Sequence, residues 1–240
     1  IFGVGAVIAM LSIGSGAERQ AMEMIDRLGL RNILVRAKDL KQDEANEIRK
    51  KSPGLSPRDA QAILEAVPGA DLVAPRVQIE PYKILSALGK AQAKVYGVSA
   101  RQAELARLRV AEGRFLDAKD ERDHAQVCVV GPAARRDLFG YGPALGRDLK
   151  INDVWFEVIG VLEESGGSSS FQGVAVGSTA REIYLPVSTA VRKFDRDPLK
   201  SPYDEIVVRL NASASPSRSS ALVRSLLDRL HGGASDFELV

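Results

Sequence analysis

GRFLDAKDERDHAQVCVVGPAARRDLFGYGPALGRDLKINDVWFEVIGVLEE, Gly113 to Glu164, is the stretch that decides the fold. Gln126 to Val130 reads as a strand, Pro132 opens a short helix, and Gly140 to Gly146 is a glycine and proline turn. Ile151 and Val154 to Leu162 are β-branched apolar runs of the kind found in buried strands, and Asn152-Asp153 sits between them as a hairpin turn would. The polar residues fall at turns and on helix faces, so the stretch reads as sheet-rich scaffold with no reaction centre. Asp117, Asp120, Glu121 and Asp123 are expected on a solvated face.

Outward from this scaffold, both ends of the chain repeat one pattern. Toward the N-terminus, Asn32 to Arg36 is a strand and Lys38 to Lys51 a charged loop or exposed helix. Ser56, Pro57 and Asp59 then give a strong helix start, with Ala60, Ile63, Leu64 and Val67 on one face. Pro68-Gly69 stops that helix, and Ala70 to Glu80 returns as a strand. Toward the C-terminus, Glu205 to Leu210 is a strand and Ser215-Pro216 opens a helix with Leu222, Val223, Leu226, Leu227 and Leu230 on its apolar face. Gly232-Gly233 ends it, and Asp236 to Val240 is another strand. Two βαβ-like units, one from each end, imply an α+β fold. In it, one α/β subdomain is built from both termini and carries a sheet-rich insertion at about residues 99–201, which includes a helix at Arg101 to Arg109.

The first residues are of a different kind. Ile1 to Gly14 is an uncharged apolar run of 14 residues, shorter than the ~20 needed to span a bilayer. It leads into Ala17 to Leu28, where Met22, Ile25 and Leu28 recur at helical spacing among charges. The reading is the outer end of a transmembrane helix continuing as an amphipathic coupling helix; a buried core helix and a signal peptide are the alternatives. The absence of an initiator methionine points to a piece of a longer protein.

Composition bounds the function. With 33 basic and 31 acidic residues the net charge is +2, which leaves no electrostatic footprint for nucleic acid. Cys128 is the only cysteine and sits within an apolar strand, so a core thiol is expected rather than a disulfide or zinc ligand. His124 and His231 have no metal-ligand spacing, and His231 lies where a helix C-terminus would favour a cation. Ser165 to Thr179 is rich in glycine and serine but lacks a following Lys-Ser or Lys-Thr pair and a helix, so it reads as a surface loop and not a phosphate cradle. Phe171, Val174 and Val176 in it are candidate partner contacts. No catalytic, cofactor or metal residue is assigned.

The order of these segments resembles a known family, the extracytoplasmic core domain of MacB-type ABC transporter permeases, related to lipoprotein-releasing and FtsX-like permeases. The matching residues include IGSGAERQ (Ile13 to Gln20), NILVR, VYGVS (Val95 to Ser99), EGRFL (Glu112 to Leu116) and VCVVG. RRDLFG (Arg135 to Gly140), ALGRDLKIN, FEVIGVL (Phe156 to Leu162) and IYLPVSTA (Ile183 to Ala190) complete the set. The resemblance implies a periplasmic domain between the first two transmembrane helices of an inner-membrane permease. Its expected parts are the helix end and stalk (1–28), a porter-like subdomain in two halves (29–98 and 202–240) and an inserted sabre-like subdomain (99–201). It further implies a homodimeric permease, ATP hydrolysis in a separate cytoplasmic domain, mechanical transmission across the membrane, and a periplasmic adaptor with a TolC-type outer-membrane channel. An FtsX-like module regulating a periplasmic enzyme, a lipoprotein-releasing domain, and a soluble ligand-binding or enzymatic α/β domain are the competing readings.

Overall fold

The computed structural model describes residues 31–164 and 179–240. The chain opens with β1 (Asn32–Ala37), followed by α1 (Gln42–Arg49), α2 (Pro57–Ala66) and β2 (Ala70–Ile79). Ser56 starts α2: its N–H and Oγ both donate to Asp59 Oδ2, at 2.8 and 2.7 Å. A cap of this kind stabilises a helix by about 1 kcal/mol. Next come β3 (Ile84–Ser86) and β4 (Lys94–Val98), and the inserted part then supplies α3 (Gln102–Leu105), β5 (Val110–Gly113), α4 (Ala118–Arg122) and β6 (Val127–Val130). It continues through α5 (Pro132–Phe139), β7 (Asp148–Ile151), β8 (Val154–Leu162), β9 (Glu182–Pro186) and α6 (Val187–Lys193). The terminal pattern then returns as β10 (Glu205–Leu210), α7 (Pro216–Leu230) and β11 (Phe237–Leu239).

The two terminal βαβ units interleave. Strands β1 and β2 each pair antiparallel with β10, and β11 pairs antiparallel with β1, so the local order is β11-β1-β10-β2. Each unit is therefore a split βαβ whose gap is filled by a strand of the other. In neither unit do the two strands pair with each other: β10 lies between β1 and β2, and β1 lies between β10 and β11. Helices α2 and α7 pack on each other and on the sheet, burying Ile63, Val223 and Leu227 against Ile33, Val35, Ile206 and Val208.

From β2 the sheet runs on without a break through β4, β9, β6, β8, β7 and β3, with β5 added to β8. The turn at Asn152 is the expected two-residue hairpin, Ile151 facing Val154. Asn152 takes the left-handed conformation, φ 54°, which asparagine tolerates better than most residues. One continuous core fills the inner face, from Val35 to Phe156 and Phe237. A smaller cluster of Tyr96, Val98, Leu116, Val129, Leu162 and Tyr184 lies on the other face of the inserted strands.

Two expectations are corrected. The helix read over Arg101 to Arg109 shrinks to α3, because Arg107 turns left-handed at φ 51° and Leu108 N–H reaches back to Ala103 O. The turn places Leu108 against the smaller cluster. Asp120 is not on a solvated face: it is buried, grips Arg114 with both oxygens at 2.6 and 3.0 Å, and the Arg114 hydrogen bond holds its carboxyl below the usual range. The charged stretch Lys38 to Lys51 is, as expected, a largely exposed helix, α1, although the guanidinium of Arg49 is mostly buried.

Strand β8 admits only glycine at 160. A Cβ there would lie 2.1 Å from Arg114 O, and one on Gly113, its partner in β5 with φ +78°, would lie 2.2 Å from Ile159 O. Both obstacles are backbone and cannot rotate away. Gly160→Ala is expected to lower the unfolding free energy by about 1–3 kcal/mol. Urea unfolding followed by circular dichroism checks this, and an unchanged midpoint would mean that β5 moves aside freely.

Candidate functional site at the strand junction

Strand β2 carries the connection between the terminal and inserted parts of the sheet. Ala70 to Arg76 pair with β10, whereas Arg76 to Ile79 pair with β4. Pro75, which has no N–H to give to a ladder, precedes the change of partner by one residue. Arg76 marks the change itself. Its guanidinium carbon stands 3.8 Å from the centroid of the Tyr96 ring, and its Nη1 is 4.0 Å from Glu205 Oε1. The first contact ties it to β4 and the second to β10. Behind Tyr96 the rings of Tyr184 and Phe115 continue the aromatic contact at centroid distances of 6.2 and 5.9 Å.

The return crossing, from Phe194 to Asp204, is fastened to the same strand. Asp204 N–H donates to Arg76 O at 3.0 Å, Asp204 Oδ2 accepts from Gln78 N–H at 2.7 Å, and Arg196 Nη2 donates to Asp204 Oδ1. Tyr203 is buried, and its N–H donates to Leu55 O at 2.8 Å. Beside the crossing lies an open cleft of about 620 Å³ bordered by Lys38, Asp39, Glu80, Asp197, Lys200 and Glu205. Charges of both signs line it. A second hollow of about 430 Å³, bordered by Tyr82, Val154 and Phe194, shares Gln78, Glu80, Asp197 and Lys200 with the first.

A second constellation is fully enclosed. His231, 1% exposed, caps α7. Its Nδ1 lies 2.7 Å from Asp236 Oδ1, and its Nε2 lies 3.3 Å from Asp59 Oδ2 without hydrogen-bond alignment. Asp236, 0% exposed, also accepts from Ser52 Oγ at 2.6 Å and Arg49 Nη1 at 3.1 Å. Arg49 reaches further, donating to Leu199 O at 2.9 Å and Ser201 Oγ at 3.0 Å. Burial opposes the charge on His231, but the hydrogen bond to Asp236 and the charges of both carboxylates outweigh it and push the imidazole up to about 9. Burial likewise opposes the charge on Asp236, and its bonds to His231 and Ser52 hold the carboxyl below its ordinary value.

Against the sequence reading, His231 sits at a helix end as expected, yet its partners are two carboxylates, Asp236 five residues on and Asp59 far along the chain. Arg49 was not singled out, because only a charge run signalled it. The candidate partner contacts Phe171, Val174 and Val176 and the coupling-helix residues Met22, Ile25 and Leu28 lie outside the described residues. Burial pushes the Cys128 thiol far up, consistent with an inert core position. Among the described residues no group of three or more His, Cys, Asp or Glu is placed to hold a metal ion. Among them, too, no helix is long and apolar enough to cross a membrane.

Comparison with known proteins agrees with this architecture. The macrolide export ATP-binding/permease protein MacB of Agrobacterium fabrum is 32% identical over 242 residues, covering 100% of this chain and 35% of the relative. The pyoverdine export ATP-binding/permease protein PvdT of Pseudomonas aeruginosa is 28% identical over 243 residues, covering 100% of this chain and 34% of the relative. The chain thus spans about a third of the length of the curated relatives it matches. Among solved structures, the periplasmic region of MacB from Actinobacillus actinomycetemcomitans superposes with a TM-score of 0.70 at 20% identity, over 88% of this chain and 89% of that one. The extracellular domain of the transporter YknZ from Gram-positive bacteria superposes with a TM-score of 0.68 at 17% identity, over 87% of this chain and 99% of that one. A split βαβ pair bearing a long inserted sheet is thus a fold shared with both, and residues 1–226 match the family described as MacB-like periplasmic core domain, to which this chain belongs.

Proposed function

We propose that this is a non-catalytic, force-transmitting domain of an ABC transporter permease in a bacterial inner membrane. The observation that carries this reading is the pairing of the first and last described strands. Leu34 and Val240 are hydrogen-bonded to each other, Val240 N–H to Leu34 O at 2.9 Å and Leu34 N–H to Val240 O at 3.3 Å. The N-terminal end of β1 and the C-terminal end of β11 therefore meet at one corner of the sheet. Motion delivered there by the preceding helix enters a single hydrogen-bonded sheet that continues, through β2, into the inserted part. In this reading the porter-like unit comprises residues 29–98 and 202–240, and the sabre-like unit residues 99–201.

The permease acts as a homodimer driven by ATP hydrolysis in a cytoplasmic domain, and it extrudes substrate from the periplasm. This domain itself needs no cofactor. An adaptor and a TolC-type channel are the partners proposed from the macrolide and pyoverdine export relatives. The fold alone does not call for a channel, since its YknZ neighbour comes from bacteria without an outer membrane. The test is a helix-breaking insertion after Met24 in the full-length transporter. ATP hydrolysis should persist while export falls at least tenfold; unchanged export would sink the mechanical reading.

A further inference from the structure

We propose that the His231 imidazolium is a pH-sensitive fastener that holds the terminal strand β11 to the helix layer and lets it go when the surrounding medium turns alkaline. Both ring nitrogens face carboxylate oxygens, Nδ1 that of Asp236 and Nε2 that of Asp59. A neutral imidazole carries one proton, so one nitrogen would then direct a lone pair at an anion. Counting charges gives the same answer. The charged groups facing His231 are Asp59 from α2 and Asp236 from the turn before β11, with Arg49 from the end of α1 joined through Asp236. With the imidazole protonated, two cations meet two anions; without the proton, a net negative charge is left in a site closed to water.

What the proton holds is specific. Asp236 precedes Phe237, the first residue of β11, and the Phe237 ring packs edge-on to His231 with centroids 5.4 Å apart. On the other side, Asp59 is the capping residue of α2. Loss of the proton leaves Asp59 of α2 and Asp236 at the start of β11 facing each other across the ring with no cation between them. That loosens β11 from the helix layer although Arg49 and Ser52 still hold Asp236, while the central strands, which have no part in the cluster, stay paired. The hydrogen bond to Asp236 and the charges of both carboxylates outweigh burial and raise the affinity of the ring for its proton, which places the release above neutrality.

The chain has only two histidines, so the experiment is an NMR titration of the whole chain, with the His231 ring signals assigned by His124→Gln. The His231 ring protons are expected to titrate with a midpoint of about 9, and the Phe237 ring signals to shift with the same midpoint. Those of Phe156 and Phe194, stacked in the core at 6.0 Å, should stay still. Asp59→Asn should lower the midpoint by at least one pH unit, a tenfold loss in proton affinity. A His231 midpoint at or below 6.5, Phe237 signals that ignore the titration, or an unmoved midpoint in Asp59→Asn would each overturn the proposal.

Discussion

Asp236→Ala is expected to lower the unfolding free energy by about 3–5 kcal/mol at pH 7, the cost of leaving buried charge unpaired. The side chain accepts from His231, Ser52 and Arg49, so its loss strips a partner from two cations and a hydroxyl that water does not reach. Asp236→Asn keeps the volume and one acceptor oxygen and should cost less. Guanidinium unfolding of both variants makes the check, and a loss under about 1 kcal/mol for alanine would mean that water enters the cluster. The pH profile follows from the same bonds. The depressed carboxyl contributes stability above its unfolded value of 3.8, and that contribution disappears as pH falls through the lower folded value. The raised imidazole does the reverse: its contribution is complete below 6.5 and is lost as pH climbs through about 9. The wild-type chain should be most stable between these limits, and Asp236→Ala should flatten both flanks.

Phe156→Ala should be as damaging, at about 3–5 kcal/mol. Phe156 is 1% exposed, at the centre of the β7–β8 hairpin, and its ring lies parallel to that of Phe194. Phe194 begins the crossing that returns to β10, so the cavity would open beneath the segment that grips β2. The neighbouring Trp155 provides the control. It points to the opposite face, 54% exposed, and Trp155→Ala should change stability by no more than about 0.5 kcal/mol. Denaturant midpoints at constant slope would establish the contrast. A reversed contrast, with the larger loss at Trp155, would mean that the strand is shifted by one residue from the register described, since such a shift exchanges the faces.

These two residues also show what was legible beforehand. The β-branched run of β8, the Ser56-Pro57 and Ser215-Pro216 starts, and the Asn152 turn are local signals, and each lies where the residues placed it. Interleaving of the terminal units was not legible, because β1 has the same pattern whether it borders β2 or β10. Burial of Arg49, Asp120 and His231 was hidden for a similar reason. A charged residue looks alike in sequence whether its partner is water or a carboxylate far along the chain. The 187 positions between Arg49 and Asp236 leave no periodicity to find. At the junction, Pro75 within an apolar run was the one local hint that β2 changes partners.

The corner where β1 and β11 meet has a mechanical consequence. Because the strands are antiparallel and Asn32 and Val240 lie at the same end, a pull that separates these two points loads the pair as a zipper. Hydrogen bonds would break one after another from Leu34 and Val240 inward, so the resisting force is that of a single bond at a time, not of the whole ladder. The last rung, Lys38 N–H to Asp236 O at 2.9 Å, adjoins the residue that Arg49, Ser52 and His231 hold. Strand β11 can thus yield to a weak tug over its three residues and then stop hard, which gives the domain a short compliant stroke before it pulls as a rigid body.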